Sequence, residues 1–143
     1  GGRNLYSVRL FWSQLKEDPL PSLSRLLNQT ELHFTRAYNG EKLVFLTRWF
    51  PKLKVLRLRD LPNLKRMDIQ QGAMVSLERL RLINLSSMEE VPLGIEFLMP
   101  LKYLSFEEIT VDFLLSLRQS RIGGMRWWHT LREENDMEAG VRT

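Results

Sequence analysis

The sequence predicts an α/β solenoid, with short parallel strands stacked edge to edge on one face and returning segments on the other. Three observations predict it. Apolar residues recur at a spacing of 24 in one ladder, Leu5, Leu53, Leu77 and Leu101, with Gln29 filling the missing step. Two further ladders keep the same spacing: Val8, Leu32, Leu56, Leu80, Leu104 and Leu10, Phe34, Leu58, Leu82, Phe106. Of these 15 slots 14 are apolar against 43% of the chain, so the period is not a by-product of composition. Within each unit the last two ladder positions stand two residues apart, the alternation of a strand with one buried face.

Each unit therefore reads L-x-x-L-x-L, as in Leu53-Lys54-Val55-Leu56-Arg57-Leu58 and Leu77-Glu78-Arg79-Leu80-Arg81-Leu82. That pattern is the leucine-rich-repeat signature, whose repeats run 20–29 residues and whose strands line a horseshoe-shaped arc. A single unit cannot bury its apolar face, and about three or more must stack. Repeats are expected to start near residues 5, 29, 53, 77 and 101, about five in all, with strands on the concave face. A degenerate repeat or cap is expected from residue 125, in Met125-Arg126-Trp127-Trp128-His129, with the register failing at Thr130.

The remaining positions keep the period as well. Leu26, Phe50, Met74, Leu98 and Ile122 precede each strand, and Pro21, Phe45, Ile69, Leu93 and Leu117 fall on the return side. Glu41–Trp49 shows helical spacing at Leu43, Leu46 and Trp49, and Val111–Arg118 is also expected to be helical. The convex side is expected to mix short helices with irregular turns. The repeat domain is expected to span residues 1–131, followed by an acidic, disordered tail over 132–143. The first repeat opens near residue 5 without the polar cap that terminal repeats need, which predicts that the natural chain continues upstream.

Composition narrows the function. There is no cysteine, which removes disulfide frameworks, thiol nucleophiles and cysteine-based zinc sites, and a cytoplasmic location fits. No run approaches the roughly 20 apolar residues of a membrane helix, so no membrane partner is expected. The net charge of +4 is uneven. Glu133, Glu134, Asp136 and Glu138 concentrate acid in the tail and leave the body more basic than the whole. His33 and His129 stand far apart in the repeat order, and no H-E-x-x-H or carboxylate cluster suggests a metal. The chain is therefore expected to be no enzyme and to need no cofactor. It shows no nucleic-acid-binding motif, so nucleic acid is not an expected partner.

Certain units resemble a known family. Phe50-Pro51-Lys52-Leu53-Lys54-Val55-Leu56-Arg57-Leu58, Gly72-Ala73-Met74-Val75-Ser76-Leu77-Glu78-Arg79-Leu80 and Pro92-Leu93-Gly94-Ile95-Glu96-Phe97-Leu98 look like the units of plant nucleotide-binding leucine-rich-repeat resistance proteins. The last two are similar to the final repeats of the coiled-coil-bearing subgroup. The resemblance covers about residues 5–130. It implies an intracellular immune receptor whose repeats hold a nucleotide switch off and help to detect a pathogen protein. It implies three protein partners: a pathogen effector, a host protein, or the receptor's own nucleotide-binding domain. The Gly-x-x-x-x-Gly-Lys-Ser/Thr loop of such a switch is not in this sequence. The open alternative is a leucine-rich scaffold or substrate-recognition module outside immunity.

The candidate site follows from alternation. Between the two strand leucines sit Arg9, His33, Arg57, Arg81 and Ser105, expected to point outward. Beside them run Phe11, Thr35, Arg59, Ile83, Glu107 and Ser7, Glu31, Val55, Arg79, Tyr103. Arg9, His33, Arg57, Arg59, Arg79, Arg81 and Tyr103 are the expected partner-binding residues, a basic patch with an aromatic anchor. Glu78 and Asp60 are the expected internal counter-charges. Reversing Arg57 and Arg81 is expected to leave stability within about 0.5 kcal/mol, as for solvent-facing side chains.

Overall fold

A computed structural model describes residues 7–11, 19–24, 28–120, 122 and 125–132. In chain order its elements are β1 (Ser7–Phe11), α1 (Leu20–Leu23), β2 (Glu31–Thr35), β3 (Lys42–Phe45), β4 (Val55–Arg59), β5 (Arg66–Ile69), β6 (Arg79–Ile83), a 3₁₀ turn at Ile95–Phe97, β7 (Tyr103–Ile109), α2 (Val111–Gln119) and β8 (Trp128–Leu131). β1-β2-β4-β6-β7-β8 make one parallel sheet, and β3-β5 make a second of two strands. The architecture is mixed α/β with parallel strands, compatible with a leucine-rich-repeat fold. The acidic stretch after Arg132 lies outside the described residues, as do Leu26 and Trp12.

The sequence ladder is also the hydrogen-bonded ladder of the sheet. Val8, Leu32, Leu56, Leu80 and Leu104 are register partners across five strands, and so are Leu10, Phe34, Leu58, Leu82 and Phe106. From Leu32 and Phe34 onward all of these are buried. Burying one such side chain contributes about 1.5–3 kcal/mol, so the stack is a major source of stability. Phe50, Met74, Leu98 and Ile122 form a second buried row, as the period requires. Gln29 takes a leucine slot and is buried there.

Each strand leaves the sheet through the same turn. Arg36, Asp60, Asn84 and Glu108, 24 residues apart, all have φ between 51° and 55°. Asn and Asp tolerate this left-handed conformation better than other side chains. The bend lets Arg36, Asp60 and Asn84 donate their N–H to the carbonyls of Arg59, Ile83 and Glu107 at 2.9–3.0 Å. At Glu108 the pattern changes: its N–H donates to Thr130 Oγ1 at 2.8 Å. The cause is a rung one residue short. Ser105 pairs Trp128, Phe106 pairs His129, and a register shift precedes Ile109 and Leu131. The last unit therefore still supplies a parallel strand that includes Thr130, while the 24-residue register is lost there as expected.

The return side differs from expectation at Glu41–Trp49, which is a strand and not a helix. Leu43 and Phe45 point inward from β3, beside Met67 and Ile69 of β5, while Leu46 is exposed. A short lone helix is marginal, and the matching segment 24 residues on offers a paired backbone instead. Leu93 adds a third rung: its N–H donates to the Met67 carbonyl at 2.8 Å and its carbonyl accepts from Ile69 at 2.7 Å. Leu93 itself is exposed, and so is Pro21, so this ladder is buried only at Phe45, Ile69 and Leu117. Gly94 (φ 85°) is required here, because a Cβ would sit 1.8 Å from the Ile69 carbonyl oxygen. The second expected helix is present as α2. Thr110 caps it by accepting from the Phe113 N–H at 3.1 Å, and Phe113, Leu114 and Leu117 are buried against the core.

Candidate functional site

The outward side chains of the six-stranded sheet form one face, and the candidate residues lie on it. Parallel register puts Arg9, His33, Arg57 and Arg81 in one row across β1, β2, β4 and β6. Neighbouring strands are about 4.8 Å apart, so the row is a line of closely spaced cationic and polar groups. Arg59 stands two residues further along β4, and Arg79 faces Tyr103 across β6 and β7. All seven predicted residues are thus on one face, although the side chain of Phe11 lies outside the described residues.

Toward β8 this face is occupied by internal contacts. Arg81 donates to Glu107 through Nε and Nη2, both at 2.9 Å, and Ser105 Oγ donates to the same carboxylate at 2.7 Å. Two parallel N–H bonds from one guanidinium are a strong, geometrically specific pairing. They and the Ser105 hydroxyl hold the Glu107 carboxyl below the usual glutamate range. Arg79 lies 5.4 Å above the Tyr103 ring, Tyr103 stacks on Trp128 at 4.9 Å, and Arg126 lies 5.2 Å from the Trp128 ring on the same strand end. Cation–π contacts of this kind contribute about 0.5–1 kcal/mol at exposed sites. Trp127 turns the other way and meets the buried Phe106 edge-on at 6.0 Å.

Toward β1 the same face is less complete. His33 Nε2 meets Glu31 at 3.1 Å, but its Nδ1 is buried without a partner. Ser7 Oγ, Thr35 Oγ1 and Arg57 Nε are likewise buried with no hydrogen bond. Burial first, then repulsion from Arg81, Arg59 and Arg9, pulls the Arg57 guanidinium below its ordinary pKa. Arginine nevertheless stays charged at any physiological pH.

The counter-charges depart from expectation. Glu78 forms its ion pairs with Lys54 at 3.2 Å and Lys102 at 4.0 Å rather than with an arginine. Asp60 does reach Arg59, at 3.7 Å, and also Arg36 at 3.5 Å and the Asn84 amide at 2.8 Å. Glu107, read from sequence only as part of the outward column and of the solvated surface, is the partner of Arg81. Its signal was its place in the outward column, one strand over and one pleat along from Arg81. Ser105 and Ile83 are on the outward face but covered, with 1% and 2% exposure. Of the two tryptophans in the degenerate last unit, Trp128 stacks on the open face and Trp127 packs on the core. Among the described residues, the crevice between Leu82, Met88, Phe106 and Phe113 holds about 20 Å³, room for a water and not for a ligand, and a wider one of about 330 Å³ is lined by Lys65, Met67, Glu90, Val91 and Leu93 among others. Among the described residues, no helix is long and apolar enough to cross a membrane.

The site is thus an arginine-rich outer face on a parallel sheet whose apolar rungs repeat every 24 residues. Comparison with known proteins makes this specific. The chain is 32% identical over 106 residues to a probable disease resistance protein, RF45, of Arabidopsis thaliana. It is 32% identical over 116 residues, 81% of the chain, to disease resistance protein RPM1 of the same plant. It is 28% identical over 105 residues to disease resistance protein RPP8. The chain is a relative of the plant disease resistance proteins and matches a segment of them. It spans about a tenth of the length of these curated relatives: 10% of the first and 12% of the other two. No family model and no solved structure matches the chain.

Proposed function

We propose that this chain is a non-catalytic protein-recognition module of an intracellular plant immune receptor. In this reading it is an arc of about five leucine-rich repeats with a degenerate sixth, and its strands line the concave face. The partner is a protein: a pathogen effector, a host protein, or the receptor's own nucleotide-binding domain, which the repeats restrain. The observation that carries the reading is the row Arg9, His33, Arg57 and Arg81, held in register on a rigid sheet in a chain related to disease resistance proteins. A parallel sheet fixes those side chains at the strand spacing, which suits recognition of an extended surface.

The second reading is a leucine-rich scaffold outside immunity, because a fold alone does not choose a pathway. Sequencing the parent transcript upstream of Gly1 separates the two. A long reading frame with a Gly-x-x-x-x-Gly-Lys-Ser/Thr loop is expected. A frame carrying only repeats would overturn the receptor reading in favour of the scaffold.

A further inference from the structure

Moving one repeat back from Arg81 gives Arg57, and moving one repeat back from Glu107 gives Ile83. The Arg81–Glu107 fork thus has a second copy of its cation, on β4, without a second copy of its carboxylate. The nearby acids are already engaged: Glu31 with His33, Asp60 with Arg36, Arg59 and Asn84, and Glu107 with Arg81. Among the described residues Arg57 has no ion pair within 4.0 Å, and its buried Nε–H has no acceptor. Two further polar atoms of the same face, Thr35 Oγ1 and His33 Nδ1 on the adjoining β2, are also buried without a partner. Arg57 Nε–H and the Thr35 hydroxyl are donors, whereas His33 Nδ1 is an acceptor in the neutral ring, because Nε2–H is given to Glu31. A buried donor left unmade is costly, and the Arg57 and Thr35 donors are relieved when an acceptor arrives.

We propose that Arg57, flanked by His33, Thr35 and Arg59, is the site that takes an Asp or Glu side chain of an acidic protein partner. The proposal rests on the protein-recognition reading and names the chemistry of the partner. The carboxylate would accept from the Arg57 guanidinium as Glu107 accepts from Arg81, so the protein contains its own example of the contact. Arg9 and Arg59 add positive potential around it, which favours acidic over basic segments. Arg81 is not part of the site, since its fork is filled from within.

The test uses the 143-residue chain and a fluorescent oligoglutamate peptide, titrated at low and at physiological salt. Arg57→Gln should weaken binding about tenfold, the loss of a charge-assisted hydrogen bond, and Arg81→Gln less than about twofold. Arg57→Lys keeps the charge without the fork and should fall between them. Thermal melts of each variant confirm that the chain is folded. Equal losses at Arg57 and Arg81 would overturn the site and leave only diffuse attraction to a basic face. No binding by the unsubstituted chain would also overturn it. So would displacement of the peptide by stoichiometric inorganic phosphate, which would make this a phosphate site. None of these results touches the receptor reading, which the parent reading frame decides.

Discussion

On β6, β7 and β8 the outward side chains pair with one another, whereas on β1, β2 and β4 several buried polar atoms have no hydrogen-bond partner. Beneath β2, β4, β6 and β7 the scaffold is the same, with apolar rungs in 24-residue register, all buried. The difference comes from single substitutions in the outer columns. Glu107 and Trp128 stand where they neutralise Arg81 and cover Tyr103. Thr35, Arg59 and Ile83 occupy the corresponding outer column on the earlier strands and give Arg57 no acceptor. In a repeat protein the core specifies the fold, and the outer columns are free to be filled either from within or by a partner. The half that is filled from within should matter to stability, and the half that is not should matter to binding.

The largest expected effect tests whether the contrast lies on the face at all. Leu56→Ala, beneath one half, and Leu80→Ala, beneath the other, should each cost about 2–5 kcal/mol by denaturant unfolding. Both are fully buried in the same rung. A cost confined to one of them would place the contrast in the core instead.

Glu107→Gln should come next, at about 1–3 kcal/mol, because it removes the charge and leaves Arg81 and Ser105 one neutral acceptor oxygen in place of the carboxylate's two. The effect has a pH signature. The folded Glu107 carboxyl titrates below the ordinary glutamate value of about 4.3, so its contribution is complete above that value. It is lost as pH falls through the lower folded value. The stability gap between the unsubstituted chain and Glu107→Gln should therefore close under acid and stay constant near neutrality. A gap unchanged under acid would mean that the carboxylate is not what stabilises this half.

Trp128→Ala should cost about 1 kcal/mol, mostly the stack on Tyr103 and the Arg126 contact. An effect as large as the leucine truncations would show that Trp128 belongs to the core.

Much of this was legible in the sequence, for a physical reason. Parallel strands of equal repeat length must place equivalent residues side by side, so a 24-residue apolar ladder is a register prediction in itself. The seven face residues followed from alternation alone. The return side was less legible, because Leu43, Leu46 and Trp49 fit a helical period as well as Leu43 and Phe45 fit a strand. Only pairing with Arg66–Ile69 decides between them. The sixth strand was hidden by one missing residue, which moves His129 opposite Phe106 and sends Trp127 inward. Pairings across the face were the least legible. Alternation says that Arg81 and Glu107 share a face, but rotamers decide that Arg81 reaches Glu107 while Glu78 turns to Lys54 and Lys102. The expected indifference to reversing both Arg57 and Arg81 is accordingly revised: an acid at position 81 would face Glu107.

The most direct measurement sets Arg57→Gln beside Arg81→Gln in one thermal unfolding experiment. Arg57→Gln should melt at or slightly above the unsubstituted chain, since the repulsion from Arg81 and Arg59 that it removes is larger than the attraction to Glu107 that goes with it, and it breaks no ion pair. Arg81→Gln should melt below it, by about 1–3 kcal/mol in stability, through loss of the Glu107 fork. Equal destabilisation by both, or loss at Arg57 alone, would contradict a face that is finished internally at one end and open to a partner at the other.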